Sequence, residues 1–328
     1  MKRLRLALIG AGKIAHDHAR AFLAAGFDLA AVCARPGSPR SRELARRFGI
    51  PLVFDEVDAL LAARERWDAL LIAVSPEASL EVLAAAAKTG APILVEKPVA
   101  LRSQELRPLL GRDLPVLVGY NRRFYKTAAQ ARRAVAESDC AFLAHVMLPE
   151  AVSPAEGGEG TGRLRPFFTN STHGLDLIRY VFGEVDLCHV ERIGRGGKVA
   201  GIAALLRART TGSVIQLTAN WGAPANFSFG LYRQGYSFEM RPLEVGVIYD
   251  GMEVREPTPR RPVRTYTPRA ARRLAAWEEE EIKPGFLAQA KALAALARGG
   301  DPFPAARLED AYAALRLAEL LCGCVLRG

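Results

Sequence analysis

The chain opens on a strand that runs straight into a glycine turn and a helix, and this pattern constrains the fold more than any other. Leu4 to Ile9 is apolar, Gly10-Ala11-Gly12-Lys13-Ile14-Ala15 follows, and an alanine-rich helical stretch continues to Ala25. The order strand, G-x-G-x-x-A, helix is the fingerprint of a dinucleotide-binding βαβ unit. In such a unit Gly10 permits the tight turn, Gly12 lets the backbone approach a pyrophosphate, and Ala15 keeps helix against strand. The backbone N–H groups and the helix dipole then hold the phosphates.

Up to about residue 119 strands and helices alternate. Strands are predicted at 4–9, 28–33, 52–54, 69–74, 92–96 and 115–119, and helices at 13–25, 39–48, 56–63 and 77–88. Alternation of this kind specifies a doubly wound parallel sheet, a Rossmann domain over residues 1–119. Residues 120–328 read differently. A helix at 124–137 and a strand at 140–148 precede a flexible stretch, Ser153 to Gly162, and a second helix at 171–182. Strand-like runs follow at 185–193, 199–208, 213–221, 228–239 and 243–249, separated by turns such as Arg195-Gly196-Gly197. They predict an α+β domain with a mostly antiparallel open sheet, one face covered by helices. Pro257 to Arg269 reads as a surface loop or arm, and helices at 284–298 and 308–323 close the chain. At 328 residues there is room for two domains.

Composition excludes several classes. No apolar run approaches the roughly 20 residues that cross a membrane, and Met1-Lys2-Arg3 leads into a strand without a signal-peptide pattern. Five scattered cysteines in a large chain suit reduced thiols and a cytoplasmic protein. The net charge of +10 comes mostly from dispersed arginines. With no basic tail or aromatic-interleaved patch, nucleic acid is not the expected partner, and an anionic substrate or cofactor accounts for local positive charge. No metal site is expected, because His16 and His18 have i, i+2 spacing and Cys322-x-Cys324 lacks partner ligands.

A second constellation carries chemistry. Ile93-Leu94-Val95 is a buried strand ending in Glu96-Lys97-Pro98, and the proline keeps Lys97 extended at the strand's carboxyl end. In an open parallel sheet that edge binds ligands. The end of the second strand, Cys33-Ala34-Arg35-Pro36-Gly37-Ser38-Pro39-Arg40, lacks the carboxylate an NAD enzyme places on the ribose. Arg35, Ser38 and Arg40 could instead hold a 2′-phosphate, so NADP is preferred over NAD.

Gly10-x-Gly12-x-x-Ala15, Glu96-Lys97-Pro98, Gly119-Tyr120-Asn121-Arg122-Arg123-Phe124, His173-x-x-Asp176-Leu177 and Gly285-Phe286-x-x-Gln289 together resemble the Gfo/Idh/MocA oxidoreductases. The resemblance implies a Rossmann domain, a second α/β domain supporting a homodimer or homotetramer, and hydride transfer at sugar, inositol or sugar-nucleotide hydroxyls. It places Val74-Ser75-Pro76 under the nicotinamide ribose and adds Ala34, Glu96, Lys97 and Arg122 to the cofactor contacts. Many relatives have an aspartate four residues before the histidine, where this chain has Thr169, and Ser79 stands where a histidine is often found.

The expected catalytic residues are Lys97, His173 and Asp176. Histidine titrates nearest neutrality and suits proton transfer to or from the reacting oxygen. Lys97 can stabilise developing alkoxide, or share the proton transfer. Asp176, i+3 from His173 on one helix face, could orient the imidazole or bind a substrate hydroxyl. Two other functions remain open on the same residues: an NAD-dependent glycosidase, and a nucleotide-sensing regulator without turnover.

Overall fold

The computed structural model describes residues 2–150, 164–195, 198–275 and 282–324. Two compact units emerge. The first is built from β1 (Arg5–Ile9), α1 (Lys13–Ala24), β2 (Asp28–Cys33), α2 (Pro39–Phe48), β3 (Leu52–Phe54), α3 (Val57–Ala62), β4 (Ala69–Ile72), α4 (Pro76–Ala87), β5 (Ile93–Val95), α5 (Ser103–Leu106) and β6 (Val116–Val118). Its six strands are all parallel, in the order β3-β2-β1-β4-β5-β6. The short strands are apolar on both faces, as a sheet covered by helices on both sides requires. Prolines at the first position of α2 and α4 start those helices without losing a hydrogen bond.

Beyond a 3-10 turn at Asn121–Phe124 come α6 (Lys126–Ala136), β7 (Leu143–Glu150), a π-helical turn at Phe167–Ser171 and α7 (Thr172–Phe182). Then follow β8 (Val185–Arg195), β9 (Lys198–Ala208), β10 (Val214–Trp221), β11 (Ser228–Arg233), β12 (Tyr236–Met240), β13 (Val245–Arg255), β14 (Thr265–Ala275), α8 (Phe286–Ala297) and α9 (Leu308–Cys322). Strands β7 to β14 form the second unit's eight-stranded sheet, ordered β14-β13-β12-β11-β7-β10-β9-β8. Only β7 and β10 pair in parallel. Alternate residues of β7 and β10 are buried, among them Ala144, Val146, Ile215 and Leu217, and Phe182 of α7 stacks over Phe229 of β11. The sheet thus has one apolar face under helices, as its alternation predicts.

Three expectations change. The run 228–239 is two strands that turn at Gln234-Gly235. Pro257 to Arg269 is not wholly loop, because β14 begins at Thr265 and pairs with β13 as an edge strand. Its exposed side chains hide strand character, and an edge tolerates Pro268, which has no N–H to give. Domain organisation also differs from 1–119 and 120–328. The first unit runs to Phe124 and includes 167–176 and 279–328, so the closing helices return to the Rossmann sheet. Ser153–Gly162 and the turn residues Gly196-Gly197 lie outside the described residues.

Candidate active site

The carboxyl ends of β1, β2, β3 and β4 surround a cavity of about 540 Å³. Gly10, Ala11, Gly12, Ile14, Ala34, Arg35, Ser38, Arg40, Val74 and Ser75 all line it. Gly10 is obligatory here. Its φ is +107°, and an added Cβ would sit 2.1 Å from the Ala73 carbonyl oxygen. Gly12, at the N-cap of α1, has nothing within 4 Å of where a Cβ would be, and no side chain caps the helix. Open space before uncapped helical N–H groups suits a pyrophosphate, so the residues fit a dinucleotide. Lys13, Pro76, Glu96, Lys97 and Arg122 do not line this cavity. It also holds two carboxylates that were not anticipated, Asp55 and Glu56, carried in by the end of β3. Beside them the Cys33 thiol is pushed up to about 11 by burial and by those two carboxylates.

A second cluster forms in the same unit around Lys97. Its Nζ donates to the Thr169 carbonyl oxygen at 2.9 Å. Thr169 lies in the π turn that precedes α7, a distortion frequent at functional sites. The residue replacing the expected aspartate therefore meets the lysine through its backbone. His173 is 7% exposed, packs edge-on against the Tyr120 ring with centroids 5.6 Å apart, and keeps Nδ1 buried without a hydrogen-bond partner. Burial first, then the positive charges of Lys97, Arg122 and Lys283, hold the imidazole well below its usual pKa. His173 is thus neutral at neutral pH, beside cations that would stabilise an oxyanion.

Asp176 is held by a buried arginine. Both of its oxygens accept from Arg123, Nε at 2.8 Å and a terminal nitrogen at 2.6 Å. The same guanidinium is 3.0 Å from Asp310 of α9. Burial opposes the charge on Arg123, and the two carboxylates outweigh it. The sharing of a helix face predicted Asp176 near His173; Arg123, 53 residues away, binds its carboxylate.

Glu96 also faces inward. Its Oε1 lies 2.6 Å from His18 Nε2, and its Oε2 accepts the Lys97 backbone N–H at 3.2 Å. Burial works against its charge, but the His18 hydrogen bond and the neighbouring Lys97 hold the carboxyl below the usual range. His18, read from sequence as an ordinary helix residue, is fully buried. The overlooked signal is its place in the stripe Ala15, His18, Ala19, Phe22, which marks the inner face of α1.

Residues 4–111 match the model of the oxidoreductase family with NAD-binding Rossmann fold. The chain is 27% identical over 194 residues to D-apiose dehydrogenase from Paraburkholderia graminis, covering 56% of this chain and 51% of that protein. It is 24% identical over 218 residues to myo-inositol 2-dehydrogenase from Thermotoga maritima, covering 62% and 65% respectively. The chain therefore spans less than two thirds of the length of these curated relatives. Among solved structures, UDP-N-acetylglucosamine 3-dehydrogenase from Acidithiobacillus ferrooxidans superposes with a TM-score of 0.74 at 20% identity, covering 99% and 98% of the two chains. Levoglucosan dehydrogenase in complex with NADH and L-sorbose gives 0.74 at 17%, covering 98% and 96%. These two likenesses establish the shared fold. Over residues 4–111 the chain thus matches the NAD-binding Rossmann fold of the Gfo/Idh/MocA oxidoreductase family.

Proposed function

We propose that this protein is an NAD(P)-dependent oxidoreductase acting on a secondary hydroxyl or ketone of a sugar, sugar nucleotide or related polyol. The observation that carries the reading is the pairing of a fixed ammonium with a neutral, buried imidazole, Lys97 Nζ on the Thr169 carbonyl and His173 with Nδ1 unspent. A bound nicotinamide would supply hydride acceptance or donation. In the oxidative direction the substrate hydroxyl proton passes to His173, and Lys97 donates a hydrogen bond to the oxygen as charge builds there. In the reductive direction the same ammonium polarises the carbonyl. Asp176 is the positioning partner of Arg123 in this scheme. Relatives named for apiose, inositol and UDP-N-acetylglucosamine support the substrate class.

The phosphates would lie at Ala11, Gly12, Lys13 and Ile14. Arg35, Ser38 and Arg40 would take a 2′-phosphate through charge-assisted hydrogen bonds, which makes NADP the preferred cofactor. Asp55 and Glu56 in that cavity favour a second reading, NAD with its ribose hydroxyls on a carboxylate. The same proposal includes a cytoplasmic homodimer or homotetramer; exposed Leu143, Ile193 and Met252 on the second sheet support association, and light scattering gives the state directly. Among the described residues no helix is long and apolar enough to cross a membrane.

Fluorescence titration with NADPH and NADH, followed by a sugar and polyol panel with both cofactors, tests the reading. Binding of one dinucleotide and turnover of one panel member are expected. Binding of neither refutes it, and an NADH dissociation constant well below that of NADPH selects the second cofactor reading.

A further inference from the structure

We propose that His18 is a positioning residue for Lys97: by holding the Glu96 carboxylate it fixes the backbone at the lysine and ties it to the helix that receives the dinucleotide. The proposal rests on the reading of Lys97 given above. A histidine in the apolar inner stripe of α1 is costly to bury unless a partner is built for it. Its partner here, Glu96, lies 78 residues away and is itself almost enclosed, with 13% of its side chain exposed. Because an ionised carboxylate only accepts, His18 Nε2 must carry the proton. Phe286 of α8 packs on the imidazole with centroids 4.5 Å apart, which fixes the ring plane.

The second Glu96 oxygen completes the link. It accepts the Lys97 N–H, while the Lys97 ammonium is held by Thr169, so the lysine is gripped at both ends. Space for the carboxylate is made by Gly119 just after β6, where a Cβ would come 3.0 Å from the Glu96 carboxyl group. The path therefore runs from α1 through two hydrogen bonds to the backbone of Lys97. Misplacing a reacting group by about 1 Å can cost on the order of 10²-fold in rate, so anchoring of this kind has a kinetic consequence. His18 does not line the nucleotide cavity and acts through Glu96.

Competitive labelling of the purified protein with trace acetic anhydride tests this, with Lys97 acetylation read by mass spectrometry against exposed Lys291. In His18→Leu, Glu96 loses the donor that sustains its charge, and the ammonium of Lys97 loses its neighbouring anion. Lys97 should label about tenfold faster than in the wild type at one pH, because the opposite charge beside its ammonium is lost. His18→Gln, which restores an N–H at a similar reach, should label within about twofold of wild type. Wild-type labelling in His18→Leu, or equally fast labelling in His18→Gln, overturns the proposal and leaves His18 as packing. Should His18→Leu fail to fold, Glu96→Gln removes the charge at constant volume; faster Lys97 labelling supports the link and unchanged labelling refutes it. Turnover of Lys97→Met addresses the underlying reading separately. Normal turnover there with the labelling shift intact would remove the chemistry and keep the positioning.

Discussion

The nucleotide cavity and the Lys97 cluster belong to one unit but are built in opposite ways. The cavity is local: its walls are turns directly following β1, β2, β3 and β4, and each turn's residues are neighbours in sequence. The Lys97 cluster draws on α1, the end of β5, the turn at 121–124, the π turn and α7, and α9. Its contacts between elements, His18 with Glu96, Lys97 with Thr169 and Arg123 with Asp176, each join residues more than 50 apart in sequence. Apart from Gly10, the side chains of a locally built wall can be exchanged singly, whereas a buried polar network depends on all its members.

That contrast predicts a graded response. Asp176→Asn, which removes one of the carboxylates that hold the buried Arg123 charge, should destabilise the fold by about 3 kcal/mol, as breaking buried ion pairs does. Urea denaturation measures it, and a loss below about 0.5 kcal/mol would mean the network is no more than decorative. Arg35→Ala should raise the NADPH dissociation constant about tenfold, the worth of one charge-assisted contact. It should leave turnover at saturation and stability nearly unchanged. If Arg35→Ala instead lowered stability as much as Asp176→Asn, the two regions would not differ as described.

The smallest expected effect is the pH response. His173 is held well below its usual pKa, so the folded state disfavours its protonated form. The unfolded chain takes up the proton first, and this contribution to stability is therefore intact above about pH 6.5 and lost as pH falls below it. Oxidative turnover should likewise stay flat through pH 6.5 and decline only at lower pH, an acid limb that His173→Ala abolishes. A limb centred at or above pH 6.5 would place the titrating group elsewhere.

The same contrast explains what the sequence made legible. Gly10, Gly12, Arg35 and Ser38 fall together at one cavity because βα turns repeat a short grammar, and β2 and β3 appear at their observed limits. Asp55 and Glu56 escape notice because strand order, which sets β3 beside β2, is a tertiary fact. His18 with Glu96 and Arg123 with Asp176 escape for the same reason, since spacing on one helix says nothing about a partner 78 or 53 residues distant. Edge strand β14 is hidden by prolines and arginines that only an unpaired, exposed edge accommodates. The π turn has no composition of its own, so the route by which Thr169 meets Lys97 is visible only in three dimensions.

Lys97→Met tests the central claim most directly, measured as turnover at saturating substrate together with the NADPH dissociation constant. Removing the ammonium should cut turnover by about 10²-fold or more, the scale of a lost electrostatic stabiliser, and leave cofactor affinity within a few-fold. Near-normal turnover with unchanged affinity would mean that Lys97 merely ends a strand, and the assignment of this cluster as the catalytic centre would be wrong.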